Sequence, residues 1–197
     1  MNFSFGSPSY SPIVINGQTV DIVDHIKLLG VTISNDLKWN LHVDAICKKT
    51  SKLLYALRLL KRNALPVSVL FNVYCTCFRP ILEYSCEAWY NNLLAYLSIQ
   101  IESVQKKDIR IIHPTFTYCQ AMHTVKVRSL HYRRGILCEC LFHRELDPEH
   151  KSNSLHPPLR PNEHNLRHHL SFKVPVCRID RNYKSFIQSV ATLYDTK

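Results

Sequence analysis

The sequence predicts an α+β protein that is mainly α: a small N-terminal β-hairpin or sheet, then a helical bundle, then an irregular tail rich in Pro and His. Three observations predict this. Asn16-Gly17 stands between the β-branched runs of 13–23, and both residues tolerate the positive φ of a type I′ turn. From Val43 onward the apolar residues recur at three- and four-residue steps, the period of an amphipathic helix. Beyond Asp147, Pro148, Pro157, Pro158, Pro161 and Pro175 interrupt any regular ladder.

In chain order, IVINGQTVDIV at 13–23 reads as a hairpin, and KLLGVTI at 27–33 as a third short strand ending near Gly30. Val43, Ile46, Cys47, Leu53, Leu54, Leu57 and Leu60 form the stripe of a helix of about 24 residues spanning 39–63. Pro66 suits the start of the next helix, since its missing N–H is not needed there. Helical spacing continues through about Trp89, and Pro80 should kink or split that segment. Ser98 is the expected N-cap of a helix with Ile101, Val104, Ile111 and Ile112 inward, stopped by His113-Pro114. A further helix is expected from Ser129 to Leu146. The expected regions are therefore 1–35, the β segment; 36–113, helical; 114–147, a second helical part; and 148–197, an extended tail. No internal repeat is present.

Composition narrows the function. Lys and Arg total 25 against 15 Asp and Glu, a net charge of +10. The surplus is spread over everything after residue 35, and it favours a polyanionic partner such as nucleic acid. Only 4 glycines occur, and neither G-x-G-x-x-G nor a P-loop motif is present. No apolar run approaches the ~18 residues of a membrane span. MNFSFGSPSYSP lacks the basic and apolar parts of a secretory leader. The expectation is an intracellular protein, nuclear or cytoplasmic, with its 8 cysteines reduced.

Catalytic constellations are scarce. No adjacent Asp pair offers a two-metal site, and no G-x-S-x-G elbow or family-specific Cys signature appears. Cys138, Cys140, His143 and His150 lie close enough in sequence to be considered for zinc, but a C-x-C inside an apolar helix sends its thiols to different faces. The expectation is no catalytic residue, no metal and no cofactor. The basic helix 39–63 carries the positive signal. Lys48, Lys49, Lys52, Arg58, Lys61 and Arg62 are candidates for contact with phosphates, and Tyr10, Trp39 and Tyr55 for stacking on bases.

Two runs carry a resemblance. KLLGVTISNDLKWNLHVDAICKKTSKLLYALRLLKRNALP at 27–66 and VYCTCFRPILEYSCEAWYNNLLAYLSIQIESVQKKDIRII at 73–112 resemble the C-terminal, post-palm region of non-LTR (LINE-type) retrotransposon reverse transcriptases of the jockey and CR1-like group. A weaker likeness continues through 141–151 and 174–186. The resemblance implies that Leu28, Leu29 and Gly30 form a primer-grip-like element within 1–35. It also implies that 36–113 is thumb-like and that 114–147 is a C-terminal connection. The implied partner is the backbone of an RNA/DNA template–primer, held weakly and without regard to sequence. Neither a membrane nor a small-molecule substrate is implied. Fingers, palm and endonuclease would precede residue 1, so the expectation is a truncated remnant of an RNA-directed DNA polymerase, inactive alone. The residues themselves also allow a free-standing helical nucleic-acid-binding module, or a small zinc-stabilised interaction protein.

The match departs from the family pattern at three places. Glu87 and Leu94 stand where prolines are usual, and Asp108 where a small apolar residue is usual. Asp108 falls on the inward stripe. A carboxylate there without a partner costs roughly a few kcal/mol or titrates instead.

Overall fold

The computed structural model describes residues 13–159, 172–176, 178 and 180–195. Asn16 and Gly17 take φ of 50° and 79°, the two positive values of a type I′ turn, between β1 (Val14–Ile15) and β2 (Gln18–Thr19). The single strand expected over 27–33 is instead a second hairpin. Leu29 (φ 46°) and Gly30 (φ 88°) repeat the same turn between β3 (His25–Leu28) and β4 (Val31–Ser34), with Leu28 opposite Val31. The apolar run concealed the turn because Leu29, which ordinarily avoids this region, shares it with Gly30. Tyr84 offsets that conformation by donating its phenol to the Leu29 carbonyl at 2.9 Å.

The long helix forms where its period demands: α1 spans Asn40–Arg62 and buries Val43, Ile46, Cys47, Leu54 and Leu57. Pro66 precedes α2 (Val67–Val73), as its fixed φ allows. Pro80 has the predicted effect. It cannot donate to the ladder, and the chain ahead of it widens into a π-helical segment, Tyr74–Phe78, with the Arg79 N–H reaching the Tyr74 carbonyl. The helix resumes as α3 (Arg79–Glu83). It breaks at Ser85 (φ 47°) before α4 (Cys86–Trp89).

Ser98 does not cap the next helix. α5 (Ala95–Ile112) begins three residues earlier, because the extended Leu94 lets its carbonyl accept from both Leu97 and Ser98. The helix stops at His113, as expected before Pro114. A short α6 (Tyr118–Thr124) follows, closed by a capping box between Thr117 and Gln120. α7 (Leu130–Glu145) fills the span expected from Ser129 to Leu146, and Ser129 is its N-cap, its Oγ accepting from the Tyr132 N–H at 3.2 Å.

The described part of the tail contains helices where an extended segment is expected. Leu159 bridges to Phe172, and α8 (Asp180–Tyr183) and α9 (Phe186–Asp195) follow. Val190 and Ala191 of α9 are buried with Phe172 against Cys138 and Phe142 of α7. The apolar spacing of 186, 190 and 191 is helical and outweighs the prolines before it. Pro161 and Cys177 lie outside the described residues.

α1 and α5 lie side by side and parallel. Tyr96 donates to Asn40 at 2.7 Å, Gln100 to Asp44 at 2.8 Å, and Lys61 to the Ile112 carbonyl at 2.7 Å, so both helices advance together. Their N-terminal halves share a core with β4, α3, α4 and α7, centred on Val43, Leu82, Trp89 and Ile101. Their C-terminal halves share another with α2 and the π-helical segment, around Leu57, Leu70, Tyr74, Phe78 and Ile109. No helix among the described residues is long and apolar enough to cross a membrane.

Candidate nucleic-acid interface

On a helix at 100° per residue, Lys48, Lys52, Tyr55 and Arg62 project from one face, opposite the buried stripe of Val43, Leu54 and Leu57. All four are exposed, as are Lys49 and Arg58 on its flanks. Lys61 is different. It lies on the core side of α1, half-buried, with its ammonium on the last carbonyl of α5. Five of the six cations picked from the sequence are therefore open to a ligand, and the sixth closes a helix end.

Two grooves flank α1. One, of about 620 Å³, lies between α1 and the β3–β4 hairpin, with Lys27 and Lys49 among its lining residues, and Gly30 and Tyr84 against the turn. The other, of about 450 Å³, lies between α1 and α5, lined by Lys48, Lys52 and Lys107 with Ser51 and Ser103. Asp44 also borders it, its carboxylate taken by Gln100. Lys27 and Lys107 are thus additional members that sequence reasoning missed. Their place follows from which elements pack on α1, and spacing within one helix carries no such signal.

The primer-grip-like residues sit at the hairpin tip. Leu28 and Leu29 are exposed, and Leu29 is 84 % accessible. Gly30 is held close to Tyr84, whose ring would lie 3.1 Å from an added Cβ. Of the stacking candidates, Tyr55 is exposed, Trp39 is buried in the core, and Tyr10 lies outside the described residues.

Several titratable groups are buried. Asp108 is fully buried with both oxygens unpartnered, and burial pushes its carboxyl up to about 8. Arg134 is also fully buried. Its Nη2 lies 3.8 Å from Glu102, and its guanidinium lies over the Trp89 and Tyr90 rings. Burial lowers its pKa, an effect opposed by the Glu102 carboxylate. His42 accepts from the Thr32 N–H through Nδ1 at 3.3 Å and is held below the usual imidazole range by burial. Burial pushes the Cys47 thiol up to about 11 and raises Cys75, so neither is an activated nucleophile.

The zinc candidates do not converge. Cys138 is buried and Cys140 exposed, His143 packs on Tyr194, and His150 Nδ1 accepts from the Ser152 N–H. Among the described residues no three His, Cys, Asp or Glu side chains are placed to hold a metal ion. Of the residues that depart from the resemblance, Glu87 lies in the first turn of α4, and Leu94 is the exposed N-cap of α5. In comparisons with known proteins, no family model, no curated protein and no solved structure matches the chain.

Proposed function

We propose that this chain is the post-palm part of a non-LTR retrotransposon-type reverse transcriptase, in which thumb-like helices hold an RNA–DNA duplex by its phosphates. The observation that carries the reading is the junction of the β3–β4 hairpin with α1. The turn at Leu29-Gly30 and the basic face of α1 border one groove, which places Lys27 and Lys49 on its two walls. Lys48, Lys52 and Lys107 line the groove on the other side of the helix. Such cations neutralise phosphates and release counterions without reading bases. In this reading nucleotide addition belongs to a palm inside the cell, in nucleus or cytoplasm, and the residues of this chain position the duplex.

The test is fluorescence anisotropy of labelled RNA–DNA hybrids of unrelated sequence. Hybrids are expected to bind alike, at micromolar strength, with log K falling against log salt at a slope of about −3 to −4. No measurable binding at low salt, or a strong preference for one sequence, overturns the reading. Primer extension on an RNA template with Mg²⁺ is expected to give no product from this chain alone.

A further inference from the structure

Lys106, Arg110 and His113 are spaced by four and three residues, so they fall on one face at the end of α5. The loop 113–117 folds back beside them. The rings of His113 and Phe116 stack 5.4 Å apart and 11° from parallel. The Lys106 ammonium lies 5.6 Å from the centre of the Tyr118 ring. Together these residues enclose a cup of about 420 Å³, with no Asp or Glu among its lining residues.

The walls are fixed from behind. Lys61 holds the Ile112 carbonyl, Tyr118 donates to Gln105 Oε1 at 3.2 Å, and the capping box fastens Thr117 to Gln120. Phe116 stays 44 % exposed, supported by the His113 ring rather than buried. A prebuilt concavity that joins two exposed cations to an exposed aromatic face suits a planar ring bearing a phosphate.

We propose that this cup binds a nucleotide unit, its base over Phe116 and its phosphate between Lys106 and Arg110. Thr115 beside the platform offers a hydroxyl to a heteroatom-bearing ring, which favours a base over a phosphorylated phenol. The cup is separate from the face of α1. Lys107, the neighbour of Lys106, lines the groove toward α1, whereas Lys106 lines the cup. The proposal therefore stands or falls apart from duplex binding. Two sources supply this chemistry, a free mononucleotide and the phosphorylated end of a single strand.

Isothermal titration of the full chain tests it, with adenosine 5′-monophosphate, adenosine, inorganic phosphate, phosphotyrosine and a 5′-phosphorylated single-stranded RNA hexamer as probes. The monophosphate is expected to bind at a 1:1 ratio with Kd on the order of 100 µM, and adenosine or phosphate alone about tenfold more weakly. Phe116→Ala and the double variant Lys106→Gln/Arg110→Gln each weaken it about tenfold. A triple Gln variant at Lys48, Lys49 and Lys52 leaves it unchanged. Tighter binding of the RNA hexamer that both cup variants weaken and the triple Gln variant does not assigns the cup to strand ends, and equal binding assigns it to the mononucleotide; either supports the proposal. It is overturned by no saturable binding of the monophosphate, by binding that survives both cup variants, or by phosphotyrosine binding more tightly. All six substituted positions, Phe116, Lys106 and Arg110 at the cup and Lys48, Lys49 and Lys52 on α1, are exposed, and circular dichroism of each variant checks that it is folded.

Discussion

The Lys61 ammonium donates a 2.7 Å hydrogen bond to the Ile112 carbonyl, 51 residues away. That carbonyl is among the last of α5, where partial negative charge accumulates and no intrahelical N–H remains to satisfy it. Lys61→Met keeps the apolar stem and removes the donor. It is expected to lower stability by roughly 1–2 kcal/mol, measured by urea denaturation. The salt dependence of duplex binding is expected to stay as in the parent chain. A stable variant with a flatter salt slope would return Lys61 to the group of phosphate contacts.

Asp108 makes stability depend on pH in an unusual direction. Its carboxyl is pushed up from 3.8 to about 8 by burial, and neither oxygen has a partner. An acid raised in the folded state binds its proton more tightly there than in the unfolded chain. Its contribution to stability is therefore fully present below about 4 and is lost as pH rises toward about 8. The slope from this group approaches −1.4 kcal/mol per pH unit inside that window. Asp108→Leu is expected to stabilise the protein at pH 8 by a few kcal/mol, on the order set by desolvating a charge. It is expected to flatten the decline between pH 5 and 8. Parallel pH profiles of parent and variant would contradict this account.

The same residue shows what can be read from sequence alone. Periodicity placed Asp108 on the inward stripe of its helix, and the structure puts it in the core beside Ile109 and Ile112. Local signals served equally well at Asn16-Gly17 and Pro80, where turn chemistry and a missing donor act within a few residues. The turn at Leu29-Gly30 was less legible, because its contact comes from Tyr84, 55 residues away in the turn after α3. α6, at 7 residues, is too short to carry a sustained apolar period of its own, although Thr117 and Gln120 have capping-box spacing. α9 was masked by its Pro-rich surroundings. The site divides in the same way. Exposure of Lys48 and Lys52 follows from the stripe opposite them, but Lys27 and Lys107 join only through packing of other elements on α1, and Lys61 leaves the group for the same reason.

The hairpin turn gives a local prediction. Gly30 sits at φ 88°, and an added Cβ would approach Tyr84 Cε1 to 3.1 Å. Gly30→Ala is expected to destabilise the turn by roughly 1–2 kcal/mol, combining the left-handed backbone with that contact. The reading is amide exchange, with faster exchange in β3–β4 and little change in α5. Tyr84→Phe removes only the phenol bond to Leu29 and is expected to loosen the same amides more mildly. Equal acceleration across α1 and α5 would mean that the hairpin is not a separate opening unit.

The exposed lysines of α1 decide whether the basic face binds a backbone or is only solvated. Lys48 and Lys52 border the groove toward α5, and Lys49 the groove toward the hairpin, so one triple substitution removes cations from both sides of the helix. Replacing all three by Gln is expected to leave circular dichroism and melting unchanged, because exposed lysines without a buried partner contribute little to the fold. Each phosphate contact adds about −0.9 to the slope of log K against log salt, so loss of two or three contacts should flatten the slope by about two units. Hybrids of unrelated sequence should lose affinity alike, since phosphate contacts carry no base information. Lys107→Gln added to the triple should flatten the slope by up to one further unit if duplex runs along the α1–α5 groove, and leave it unchanged if the duplex keeps to the hairpin side. A folded triple variant with the parental slope would show that these charges face only water, and the thumb-like reading would fail with them.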